Sequence, residues 1–234
     1  MIKELITDRE KLSERSKEFD ISKESELAVQ ILKDLGDTLN SLEDRLFLTA
    51  KEIGYDKRIF AVKFNGETDV FMNPAFKLKD KLILFREKDV ITNKEYFMPR
   101  YTEVSLVFQD FAGNTKGFKF NEGASIIISQ AMNLLDGILD SDIGLEVIPE
   151  FDEAPEEEKQ EVLSAYLSSI SEAAKQFNED LSTDEETKET WNAAKFITSF
   201  AEGNIETEKK ELSNRKKKQL NKILKMFKKK GIKI

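Results

Sequence analysis

Apolar residues recur along this chain with distinct rhythms, and each rhythm predicts a different element. Between Ser22 and Ala50 they fall at Leu27, Ile31, Leu35, Leu39, Leu42 and Leu46, a spacing that gathers side chains on one face of a helix. From Arg58 the rhythm shortens. RIFAVKF (58–64), VFMNPAF (70–76), KLILF (81–85), DVITN, YFMP and TEVSLVFQDF (102–111) read as strands, parted by the turn sequences NGETD and AGNTKG. The stretch SIIISQAMNLLDGILDSDIG (125–144) returns to helical spacing, with Ile127, Ile128, Ala131, Leu134, Leu135 and Ile138 on its apolar face. Gln130 and Asn133 sit among them, either as ligand contacts in a pocket or as amides bonded to core backbone, the commoner use of buried amides. Residues 1–20 are polar, and no regular element is predicted there.

After Gly144 the pattern shifts. EVIPEFDEAPEEEKQE holds two of the four prolines and a run of acids, which marks a boundary. Three helices are predicted beyond it. The first starts near Pro155 with a stripe of Leu163, Leu167, Ile170, Ala174, Phe177 and Leu181. STDE (182–185) is a capping box for the second, carrying Trp191, Ala194, Ile197 and Ala201 to Gly203. The third spans about Ile205 to Lys230. The expected architecture is an α+β domain over residues 1–148 and a helical extension over 149–234.

Composition narrows the chemistry. The chain has no cysteine and no histidine, so disulfides, thiolate nucleophiles, imidazole bases and Cys/His metal sites are excluded. Carboxylate pairs such as Glu87/Asp89 and Asp136/Asp140 are chance neighbours in a chain with 45 acids, and Asp136 reads better as support for a turn. No metal and no cofactor are expected. The charged start, MIKELITDREKLSERSKEF, lacks the apolar region of a signal peptide, and no apolar run approaches membrane-spanning length, so a cytoplasmic product is expected.

The net charge of −8 hides an asymmetry. From Lys209 to Ile234 twelve Lys/Arg stand against one acid, so this run carries +11 and residues 1–208 carry −19. Within it Leu220, Ile223, Leu224 and Phe227 form an apolar stripe flanked by Lys216 and Lys217. Such a helix docks on a protein, on RNA, on an anionic membrane, or on the acidic body of its own chain. A protein partner is favoured, RNA or the ribosome is second, and a membrane is not expected.

Several short segments, in order, resemble the peptide deformylase family. LTAKEIGYDKRIFAV (48–62) resembles the family's GLAAPQIG motif and the strand after it. Phe71–Pro74 resembles INP, MPRYTEVSLVFQDFAGN resembles the VPRP segment and its hairpin, and LLDGIL resembles HLDGxL at the end of the metal-binding helix. The resemblance implies antiparallel sheets around one buried helix. It also implies a metal held by a cysteine and two histidines four apart, with a glutamate moving protons and a glutamine steadying an oxyanion. At the matching positions this chain has Val90 for the cysteine, Gln130 and Leu134 for the histidines, Ala131 for the glutamate and Glu52 for the glutamine. The expectation is therefore a chain that is not an enzyme. It would be a structural or assembly component working through protein partners in a larger assembly. Its Lys/Glu/Asn/Ile-rich composition suits a bacteriophage particle, so the host cytoplasm or the virion is its expected place. The alternative is a ribosome-associated or RNA-binding regulator using the basic terminal helix.

Overall fold

The computed structural model describes residues 1–64, 66–89 and 91–181, and for 173–181 the backbone alone. The helices expected over 182–234 lie outside the described residues. Described in chain order, the elements are α1 (Arg9–Leu12), α2 (Ser25–Ser41), β1 (Phe47–Thr49), a 3-10 turn (Lys51–Ile53), β2 (Ile59–Phe64), β3 (Glu67–Lys88), β4 (Glu95–Gln109), β5 (Thr115–Asn121) and α3 (Glu122–Leu135). They continue with α4 (Asp140–Ile143), β6 (Leu145–Glu146), α5 (Pro149–Asp152) and α6 (Glu156–Leu181). The sheet order is β1-β2-β3-β4-β5, with β6 on β4. The described residues adopt the expected α+β class, a largely antiparallel sheet with the helix α3 packed on β1, β2 and β5. Two compact units divide the described residues, Met1–Leu82 with Arg100–Leu139, and Ile83–Pro99 with those from Asp140 onward.

In the first unit α2 lays Ala28, Ile31, Leu35 and Leu39 against Leu48, Ala50, Ile59, Ala61 and Met72. The helix is shorter than its apolar pattern. It stops at Ser41, Leu42 turns extended, and Leu46 is left half exposed. The reason is β1, whose residues Phe47–Thr49 pair with Phe60–Val62 of β2. The separate strands expected over 70–85 run instead as part of one strand, β3, with Asn73 (φ 46°) and Lys81 (φ 57°) in the left-handed region inside it. The β4–β5 hairpin closes as expected, with Asp110 Oδ1 accepting from the amides of Ala112 and Asn114, and Gly113 at φ 80°. On one sheet face Phe71 stacks on Phe60 and meets Phe108 and Phe120 edge-on.

The N-terminal segment differs from expectation. Asp8 caps α1, and Leu12 and Phe19 are buried. The segment's few apolar residues lack periodicity because only a short helix forms, and it is secured by docking on other elements. The amide of Ser16 donates to Leu135 O, and the amide of Ile6 donates to Glu52 O.

In the second unit Leu145, Phe151 and Val162 pack with Phe97, Ile148 and Tyr166. The Tyr166 hydroxyl donates to Ile143 O, and Arg86 grips Asp152 and Glu95. Pro155 precedes α6 rather than filling its first turn. Of the stripe expected on α6, Ile170 is buried and Leu163 and Leu167 are intermediate, and Val162, outside that stripe, is buried as well.

Asp34 gives the first unit an acid-sensitive joint. It is fully buried in α2 and accepts from Gln30 Nε2 (2.9 Å), the Tyr55 hydroxyl (2.8 Å) and the Met1 amine (2.7 Å), with Lys3 Nζ at 3.3 Å. Burial pushes the carboxyl up, but these donors together outweigh it and hold it well below the usual carboxylate range. A carboxyl depressed in the folded state lends stability above its unfolded pKa of about 3.9, and this is lost as pH falls from there towards the folded value. The urea midpoint should therefore drop as pH is lowered from 5 to 2. Asp34→Asn should flatten that slope; an unchanged slope in the variant would remove Asp34 from the joint.

Candidate functional site

Two elements of the first unit carry the positions expected at a site, the turn after β1 and the helix α3. Glu52 lies in the turn and is 3% exposed. A carboxylate this buried needs several donors. Its Oε2 accepts from the Thr49 amide (2.8 Å) and Thr49 Oγ1 (2.9 Å), and its Oε1 accepts from the Arg45 guanidinium (2.5 Å). Both oxygens are thus engaged by residues that precede the turn, which ends at Gly54 (φ 92°). Here Glu52 works as a clamp on loop geometry.

The helix α3 packs on β1, β2 and β5. Its buried side includes the expected Ile128, Ala131, Leu134 and Leu135, while Ile127 is only partly buried. Ser125, Ile126, Ser129 and Met132 complete that side, and the serines are accommodated by bonding within the helix, Ser125 Oγ to Glu122 O and Ser129 Oγ to Ser125 O. Gln130 is partly buried. Asn133 carries the C-terminal turn through its backbone carbonyl, which accepts from the amides of Asp136 and Ile138. Its side-chain Nδ2 is buried with no hydrogen-bond partner, so the reading of this amide as bonded to core backbone does not hold for that donor.

A node that sequence reasoning missed lies at the end of α3. Arg58, 5% exposed, donates from Nε to Pro74 O (2.9 Å) and from Nη1 to Asp136 Oδ1 (2.7 Å), with Leu135 O at 3.5 Å. The amide of Asn73 donates to Arg58 O, and its side chain bonds both Phe19 backbone groups and Gln109 Oε1. The available signal was a basic residue opening an apolar strand and an acid closing an apolar helix, a pair that buried surroundings require to meet.

Of the acid pairs, the Asp136 side chain is committed to Arg58, while its backbone amide bonds in the turn. In the second unit Asp89 is buried; its Oδ1 accepts from the amides of Ile91 and Thr92, and its Oδ2 has no hydrogen-bond partner. Among the described residues no group of three or more His, Cys, Asp or Glu is placed to hold a metal. Val90 and the tail positions Lys216, Lys217, Leu220, Ile223, Leu224 and Phe227 lie outside the described residues. No described helix is long and apolar enough to cross a membrane.

The family model for polypeptide deformylase matches residues 2–143. No curated protein matches the chain. Among solved structures, the Met-ala-ser bound class I type b peptide deformylase from Acinetobacter baumannii is 15% identical. The match covers 59% of this chain and 96% of that one, with a TM-score of 0.54. The deformylase from Synechococcus elongatus in complex with actinonin is 21% identical, over 61% of this chain and 76% of that one, with a TM-score of 0.52. The Thermotoga maritima deformylase is 18% identical, over 64% and 97%, with a TM-score of 0.53. At these identities the structural likeness speaks to fold.

The family match, to a family of enzymes, overturns the expectation that the chain is not an enzyme. That expectation rested on one lost ligand set, and a missing ligand set is not evidence that activity is missing. The residues at the matching positions nevertheless do not fit the family's metal. Ala131 and Leu134 offer hydrocarbon, and Gln130 offers one neutral amide oxygen, a poor set for a divalent ion. No step through a metal is drawn from them.

Proposed function

This chain belongs to the polypeptide deformylase family, and on that premise we propose that it engages the N-terminal end of a polypeptide as an interaction component of a larger protein assembly. The observation that carries the reading is the family match over residues 2–143, which includes every element around α3. One of the deformylases of like fold is described as bound to Met-ala-ser, the class of ligand proposed for this chain. Within this reading the basic run from Lys209 to Ile234 holds a protein partner, and assembly of a bacteriophage particle in the host cytoplasm is the proposed setting, supported by the composition alone.

A second reading rests on the same run. Its charge of +11 suits RNA or a ribosome, and counterion release would then make binding fall steeply with salt.

The test is calorimetric titration of the full chain with Met-Ala-Ser and with its N-formyl form, with released formate measured in the same samples. Saturable binding of either peptide supports the proposal, and formate release would extend it to the family's own reaction. Binding of neither removes the peptide from the reading. Retention of RNA that disappears between 50 and 200 mM salt, roughly the range over which such contacts weaken by orders of magnitude, would favour the second.

A further inference from the structure

The strand β5 closes the sheet order on one side, and among the described residues it pairs with β4 alone. The hairpin that joins them fixes which backbone groups of β5 face outward. The amide of Asp110 donates to Asn114 O (2.9 Å), so these two residues turn their backbone groups towards each other. In an antiparallel pair such residues alternate with ones that point away. Lys116, Phe118 and Phe120 therefore bond across to Phe108, Leu106 and Val104. Thr115, Gly117 and Lys119 hold their N–H and C=O groups out from the edge.

Proteins usually blunt such an edge with a proline, a bulge, a very short strand or free charges. None of these operates on β5. Its register with β4 runs unbroken from Thr115 to Asn121 and includes no proline. Its two lysines are paired with acids of the same hairpin, Lys116 with Asp110 at 3.5 Å and Lys119 with Glu103 at 2.7 Å. Between them Phe118 is 60% exposed, its ring centre 5.0 Å from that of Phe120.

We propose that β5 pairs with β5 of a second copy of this chain, antiparallel across a two-fold axis at Phe118, so that one sheet runs through both molecules. A second copy is the occupant because the strand is complementary to itself in that register. Phe118 faces Phe118, Gly117 faces Lys119, Lys116 faces Phe120 and Thr115 faces Asn121. The outward N–H and C=O groups of Gly117 and Lys119 then meet those of the other strand. No lysine stands opposite a lysine, and Lys119 lies across from a residue without a side chain. The two Phe118 rings meet at a non-hydrogen-bonded pair, the position where facing side chains approach most closely. An acidic peptide has less to gain here, since both lysines already have carboxylate partners.

The test is sedimentation equilibrium of the full chain between about 1 and 300 µM, a range suited to an interface of small area. The mass should rise from 26.9 kDa towards twice that value. Gly117→Pro removes an outward N–H and leaves the bonds to β4 in place, and Phe118→Ser removes the central ring pair. Each should weaken association about tenfold or more, with the far-ultraviolet circular dichroism unchanged. The chain has no cysteine, so Phe118→Cys should give a disulfide-linked dimer on mild oxidation. Thr115→Cys should not, because in this register its two copies lie about 20 Å apart. A single-chain mass throughout, a dimer that neither Gly117→Pro nor Phe118→Ser weakens, or cross-linking of Thr115→Cys as fast as Phe118→Cys overturns the proposal.

Discussion

Gly137→Ala is expected to destabilise the protein by at least about 3 kcal/mol, measured as a lower urea midpoint with an unchanged slope. Two costs combine. Gly137 ends α3 at φ 73°, a left-handed conformation that costs a side-chain-bearing residue about 1–2 kcal/mol. A Cβ there would also stand 2.3 Å from Ser13 O and 2.7 Å from Glu14 C. Both are backbone atoms of the N-terminal segment, which cannot step aside as a flexible side chain can. Gly113 separates the two terms, since it has φ 80° with nothing within 4 Å of a built Cβ. Gly113→Ala should cost only the conformational part, about 1 kcal/mol. Equal losses at the two glycines would show that the N-terminal segment does not press on Gly137.

Arg58→Ala should cost about 3 kcal/mol, because it strands the partly buried Asp136 carboxylate and leaves Pro74 O without its donor. The approach of Arg15 Nε to Asp136 Oδ1, at 3.8 Å, is too distant to replace Arg58. Arg58→Lys should recover little, since one ammonium cannot reach Pro74 O and Asp136 in the two directions that the guanidinium spans. Replacing both partners with apolar residues, Arg58→Met with Asp136→Leu, should lose less than the two single losses added together. Simple additivity in that cycle would mean that the 2.7 Å pair contributes no coupling, and the node would then be packing alone.

The residues at this node explain why the fold was legible from short segments. Arg58 comes from KRIFAV, Asn73 and Pro74 from FMNP, and Asp136 and Gly137 from LLDGIL. These are the segments on which the resemblance rests, and they meet at the joint of β2, β3, the end of α3 and the N-terminal segment. What the motifs display is the hardware of the fold. The site was less legible, because side-chain identity at Gln130, Ala131 and Leu134 names the donors that are absent without naming what takes their place. Asn133 shows the limit on a single residue. Its place among apolar neighbours was readable, but the buried donor with no partner was not. Glu52 was read as a substituted site residue, whereas Thr49 and Arg45 make it a clamp on its own turn.

By itself the sequence determined the period of each element, the deformylase-like order of helix, strands and helix, and the absence of thiol and imidazole chemistry. These follow from residue type and spacing, which are local properties of the chain. Tertiary structure alone decided where α2 gives way to β1, how β3 runs through two left-handed residues as one strand, and how the aperiodic N-terminal segment docks against the end of α3. Each depends on contacts between residues far apart in the chain, as Leu48 with Ala61 or Ser13 with Gly137. Burial and close approach override local preference there, because the energy of packing a residue exceeds the small differences among its local conformations.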